Sequence, residues 1–105
     1  MTFHKKEEFS KKKQQLALLA KSISHPARIS ILKILSKKER CNCNDFVEVL
    51  PLTQSTVSQH LKELKKCNLI DGTLEGTNSI YTLNKAGIKE FEKEFRKLIK
   101  SISVK

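Results

Sequence analysis

The chain is poor in the residues that punctuate or decorate most enzymes. Its 105 residues hold three glycines, two prolines, one tyrosine and no tryptophan. So few glycines leave no phosphate-cradling loop, and there is no Ser-His-Asp or Cys-His arrangement at workable positions. Both absences speak against an enzyme. No stretch approaches the roughly 18 apolar residues of a membrane span. The N-terminus, MTFHKKEEFSKKKQQ, lacks the apolar run of a signal peptide. The three cysteines are an odd number and cannot make a self-contained disulfide scaffold. Reduced thiols in the cytoplasm are therefore expected. There is no internal repeat.

Acidic residues are also scarce. Eleven Asp and Glu stand against 21 Lys and Arg, for a formal charge of +10 and a pI near 9.7. That balance suits a polyanion, most often nucleic acid. The length fits one domain. A chain of this size buries roughly 60–70% of its unfolded surface, a thin core that pairing with a second copy would help. We expect residues 1–10 to be a basic, flexible N-terminal segment and residues 11–105 to form the domain.

The spacing predicts a helix from about Lys11 through Leu16, Leu19, Ala20 and Ile23. Ser24-His25-Pro26 breaks it, and Pro26 suits the first turn of the next helix, with Ser24 or His25 near its cap. That helix carries Ile29, Ile31, Leu32, Ile34 and Leu35 and stops in Ser36-Lys37-Lys38-Glu39-Arg40. Cys41-Asn42-Cys43-Asn44-Asp45 is rich in cap and turn formers. A short helix with Phe46, Val47, Val49 and Leu50 follows and ends at Pro51. After Asn68 the period changes. Leu69-Ile70 and Ile80 to Leu83 read as two short strands around a Gly-containing tip. From Lys85 to about Ser101, Ile88, Phe91, Phe95, Leu98, Ile99 and Ile102 form an apolar stripe at helical spacing. It is either a dimer seam or a face packed on its own domain.

The segment Leu52 to Ile70 is the most telling. Thr53 is a good N-cap, and Gln54, Ser55, Thr56, Ser58, Gln59 and His60 follow as a dense polar row. Val57, Leu61 and Leu64 lie behind it as an apolar back. Short amides and hydroxyls reach base edges in a major groove, and lysines meet phosphates. Ser55, Thr56, Ser58 and Gln59 are the leading contact candidates, with Gln54 next and His60 and Lys62 toward the phosphates. An ordinary polar surface helix would look similar, but a short helix, a tight turn and a polar-faced helix in sequence are the order of a helix-turn-helix. A hairpin after it is a wing. The expected fold is mainly α with a small β-hairpin, a homodimeric winged helix-turn-helix.

Three passages resemble the ArsR/SmtB family of bacterial metal-responsive repressors, over roughly Leu16 to Leu98. His25-Pro26-Ala27-Arg28-Ile29-Ser30-Ile31-Leu32 is similar to the opening of that family's second helix. Cys41-Asn42-Cys43-Asn44-Asp45-Phe46 is similar to its thiol motif. Ser55-Thr56-Val57-Ser58-Gln59-His60-Leu61-Lys62, followed by Leu69-Ile70, is similar to its recognition helix and exit strand. The resemblance implies a homodimeric repressor on an inverted-repeat operator of double-stranded DNA, released when a metal or metalloid binds. It also implies that the first and last helices build the dimer.

Cys41 and Cys43 are the candidate metal ligands. In a regular helix, residues two apart point about 200° away from each other, so one ion cannot bridge them. At a helix start or in an extended turn both thiols can face one side, and Asn42 and Asn44 are expected to make local unwinding cheap. Thiolates select soft ions. The resemblance points to trivalent arsenic, or another thiophilic ion, as inducer, with no cofactor otherwise required. Arsenic-sensing members often carry a third Cys three residues beyond the pair, where this chain has Phe46. Cys67 is then either a small buried filler or the third ligand. Oxidation of the thiols is the alternative signal. The zinc site that some members build on the last helix is not expected, since that helix has Glu90, Glu92 and Glu94 but no His. His4 is a lone tail residue. The wing should add little affinity, because Glu75 repels phosphate and no Lys or Arg stands between Asp71 and Asn84. Lys11, Lys12, Lys13, Lys37 and Lys38 are left to supply the general attraction. From a different class, a metal-buffering or protein-interaction module would bind no specific DNA.

Overall fold

A computed structural model describes residues 9–103. Apart from Phe9 and Ser10, the basic N-terminal segment expected over 1–10 lies outside them. Five helices and three strands follow in the order α1 (Lys11–Ser22), α2 (Pro26–Lys38), β1 (Cys41–Asn42), α3 (Cys43–Val49), α4 (Gln54–Lys66), β2 (Ile70–Glu75), β3 (Asn78–Leu83) and α5 (Lys85–Ile102).

Local chemistry starts each helix. Every N-cap is a polar side chain that accepts a backbone N–H: Ser10 from Lys13, His25 from Ala27, Asn42 from Asp45, Thr53 from Thr56 and Asn84 from Gly87. Each satisfies one of the orphan donors of a first turn. Pro26 sits at the head of α2, where no N–H is needed.

The wing is the expected hairpin, with longer strands. β2 and β3 pair antiparallel from Ile70↔Leu83 to Glu75↔Asn78. Gly76, at φ 66°, occupies the first of two central turn positions, where a II′ hairpin turn needs a left-handed residue. β1 was not foreseen. It adds a third strand through Cys41↔Tyr81 and Asn42↔Ile80, giving the order β1-β3-β2. Two residues between a helix end and a helix cap carry no period for a sequence to display.

The core lies between α2, α3, α4 and the base of the wing. Ile31, Leu35, Cys41, Phe46, Val57, Leu61, Leu64, Leu69 and Ile70 are all buried there. The result is the winged helix-turn-helix that the element order implied. α5 behaves differently. Ile88 and Phe91 lean on the core, yet no residue of α5 is fully buried. Phe95, Leu98, Ile99 and Ile102 are exposed, as is Leu18 on α1.

α5 begins against the turn that ends α4. Asn68 there has φ 64°, and Asn tolerates that left-handed geometry better than most residues. A Cβ on Gly87 would lie 1.8 Å from the Asn68 carbonyl oxygen. Gly87→Ala must push α5 off that turn. It should lower the urea midpoint by the equivalent of about 1–3 kcal/mol, measured by circular dichroism against the parent chain.

Candidate nucleic-acid interface and thiol site

α4 is amphipathic, and the core decides which face shows. Val57, Leu61 and Leu64 are fully buried, so the opposite side of the helix turns to solvent. Gln54, Ser55, Thr56, Ser58, Gln59 and Lys62 are all exposed. Gln54, Ser55, Ser58, Gln59 and Lys62 line one shallow concavity. Thr56 instead turns back to the cap: Thr53 Oγ1 lies 3.0 Å from its hydroxyl and 3.3 Å from its backbone N. Its side chain therefore serves the cap as well as the surface.

His60 departs from expectation. It was placed toward the phosphates, but it is 7% exposed. Its Nδ1 accepts a hydrogen bond of 3.1 Å from Arg28 Nε on α2, and its ring lies 4.5 Å from that of His25. Burial, then the neighbouring charges of His25 and Arg28, hold its imidazole below the ordinary histidine range. The sequence carried the signal: His60 stands three residues after Val57 and four before Leu64, on the apolar side. Its polarity masked its position.

The wing is less acidic than its own sequence suggests. Glu75 is in an ion pair with Arg40, which enters from the end of α2. The Lys65 ammonium lies 3.5 Å from where a Cβ on Gly72 would stand. Neither cation falls within the wing segment, so a linear reading missed both. The Arg40–Glu75 pair is exposed and adds little stability. It does cancel the one carboxylate expected to repel phosphate from the wing.

The thiols are placed unequally. Cys41 is 2% exposed, part of the core cluster, and fixed in β1 opposite Tyr81. Burial, then the Asp45 carboxylate, push its thiol up, against a smaller pull from Lys38. Cys43 is the first residue of α3 and only half-buried. Its Sγ lies 3.6 Å from Ser58 Oγ and 3.8 Å from the Gln54 carbonyl oxygen on α4. Cys67 caps the end of α4 with its Sγ 3.3 Å from the Leu64 carbonyl oxygen. Among the described residues, no group of three His, Cys, Asp or Glu side chains is placed to hold a metal ion. Nor is the start of α3 loose. Asn42 and Asp45 form a complete capping box, with bonds of 2.9 and 2.8 Å. The expected cheap unwinding is corrected: two reciprocal side-chain bonds lock that turn.

The chemical consequence is a graded thiol reactivity. With an Ellman-type disulfide reagent at neutral pH, Cys43 should react fast and Cys41 slowly. Access and thiolate fraction both disfavour Cys41. Denaturant should abolish the difference, and a Cys41→Ser variant should remove only the slow phase.

Residues 25–71 match the family described as bacterial regulatory protein, arsR family. The chain is 35% identical over 71 residues to the arsenical resistance operon repressor of Staphylococcus xylosus, covering 68% of this chain and 67% of that one. It is 34% identical over 68 residues to the transcriptional repressor PagR of Bacillus anthracis, covering 65% of this chain and 68% of that one. The solved structure of an ArsR-like transcriptional regulator from Rhodococcus sp. RHA1 shares the fold. Its TM-score is 0.71 at 20% identity, over 82% of this chain and 80% of that chain. With a polar helix face turned outward behind a capped turn and beside a wing, this chain belongs to the arsR family of bacterial regulatory proteins, as a DNA-binding transcriptional repressor and not an enzyme.

Proposed function

We propose that this repressor sits on an inverted-repeat operator as a homodimer and leaves it when trivalent arsenic, or a similar soft ion, engages Cys41 and Cys43. One observation carries the reading. The Cys43 thiol touches Ser58 and the Gln54 carbonyl, on the face of α4 that offers itself to DNA. A ligand on that sulfur and the helix's first turns compete for the same space.

Two thiols two residues apart are donors of the right softness, and binding to such an ion would supply strong thiolate bonds. Their placement couples binding to shape. Cys41 must leave the core before it can join Cys43. Leaving unpairs β1 from β3 and strains the capping box at Asn42 and Asp45. The same movement loosens the floor on which α3 and α4 rest. Cys67 lies at the far end of α4 and serves its cap. The absence of a three-donor group among the described residues favours a second reading, in which oxidation of the same thiols is the signal.

The dimer is proposed from exposed apolar side chains. Leu18 on α1 and Phe95, Leu98, Ile99 and Ile102 on α5 sit on helices that contact one another. A stripe of that extent is covered by association. The protein would work in the cytoplasm, where its thiols stay reduced.

The test titrates arsenite into fully reduced protein bound to a fluorescent duplex carrying the upstream region of its own gene. Release is expected at about one equivalent per chain, as a thiolate site for a single soft ion requires. Cys43→Ser and Cys41→Ser should each abolish it. Release by peroxide with no response to arsenite would favour the redox reading. On the same duplex, affinity should fall by roughly 10³-fold between about 50 and 200 mM salt, as released counterions demand. A flat salt response counts against operator binding through this face.

A further inference from the structure

Ser22 and His60 are the buried polar residues among the described ones, and a single side chain joins them. Arg28 donates from Nη1 to the Ser22 carbonyl oxygen at 3.0 Å and from Nε to His60 Nδ1 at 3.1 Å. Ser22 ends α1, Arg28 lies in the first turn of α2, and His60 is in the middle of α4. One guanidinium therefore ties the helix exposed for pairing to the helix exposed for DNA. The remaining buried contacts of α4 are apolar and set no single angle. A directional bond from a guanidinium that is itself anchored on α1 does.

Resting on the reading that α4 enters the groove, we propose that Arg28 and His60 are positioning residues forming a proton-sensitive latch, so that acidification weakens operator binding. The latch needs a lone pair at His60 Nδ1. Protonation replaces it with an N–H aimed at the Arg28 N–H, donor against donor and cation against cation. The His25 ring stands 4.5 Å away and adds a further basic group. The titratable groups that line the groove beside the latch are Lys21 on α1, His25 at the cap of α2, Arg28 on α2, Glu63 and Lys66 on α4, Cys67 at its end, and Glu90 and Glu94 on α5. Of these, Arg28 is hydrogen-bonded to the imidazole. Burial and those two basic neighbours depress its proton affinity. The unfolded chain takes up the proton first, near pH about 6.5. The latch's contribution to stability is thus complete above that value and declines below it, and the latch itself opens lower, as pH falls through the depressed folded-state value. The sign is diagnostic, because protonating a histidine beside phosphate would strengthen DNA binding.

Fluorescence anisotropy of the full chain on its upstream duplex, at constant ionic strength, reads the effect. Wild type should bind about threefold more weakly at pH 5.5 than at pH 7.5, part of the roughly tenfold scale of one charge-assisted hydrogen bond, because the depressed imidazole has taken up only part of its proton there. His60→Asn keeps an acceptor oxygen near the Nδ1 position and has no proton to gain. It should bind normally at pH 7.5 and lose the acid response. Arg28→Met should weaken binding at pH 7.5 and flatten the profile, and Arg28→Lys should restore part of the affinity. Equal or tighter wild-type binding at pH 5.5, or the same acid loss in His60→Asn, overturns the proposal. If His60→Asn fails to fold, nitrogen NMR of wild type decides. Loss of affinity coincident with Nδ1 protonation supports the latch, and titration that leaves the α4 amide shifts unmoved overturns it. Should wild type bind no DNA at pH 7.5, the operator reading fails by itself, and those amide shifts still test the latch.

Discussion

The polar face that this molecule turns outward depends on the burial of one stripe of α4. Val57, Leu61 and Leu64 have no exposed surface and meet Ile31, Leu35, Phe46, Leu69 and Ile70 in a single cluster. Each such side chain contributes about 1.5–3 kcal/mol when taken fully out of water. No alternative rotation of the helix buries as much, since its other face is amides, hydroxyls and lysines. The apolar side therefore decides, by default, that Gln54, Ser55, Ser58, Gln59 and Lys62 face outward. The Thr53 cap fixes where that face begins.

Against this apolar background, the polar features are few and specific. Arg28 reaches two buried polar residues, Asn42 and Asp45 close a capping box, and Arg40 neutralises Glu75 on the wing. The two arginines join segments that the hydrophobic core would hold together only loosely, and the capping box locks the start of α3. They also place charge and thiol chemistry close to α4. Cys43 touches the exposed polar side of the helix while Arg28 holds its inner side. Both contacts bear on one packed helix, and a packed helix responds to displacement by shifting as a body.

The periphery has a different logic. α1 and α5 contact each other but bury little, leaving Leu18, Phe95, Leu98, Ile99 and Ile102 in water. A chain of this length has too little interior to cover a long amphipathic helix on its own. The strong apolar periodicity of α5 is therefore unspent within one copy. α4, by contrast, lies against the buried core cluster through Val57, Leu61 and Leu64.

Much of this was legible in the chain. The capping residues Thr53 and His25, Pro26 at a helix start, the period of three and four in α4 and α5, and Gly76 at a hairpin tip are local signals. They act over a few residues, through backbone donors and side-chain spacing, and they needed no partner from elsewhere. Together they determined the order of the helices and of the hairpin, most of the exposed polar row and the family's fold, but not β1 and not the burial of His60. What tertiary structure alone decided were the pairings across distance. It drew Cys41 into a third strand and the core, set Cys43 against Ser58, turned His60 inward to Arg28, and brought Arg40 to Glu75 across 35 positions. Those contacts depend on which faces meet once the apolar stripes are buried, and no periodicity within one segment records the identity of its neighbour.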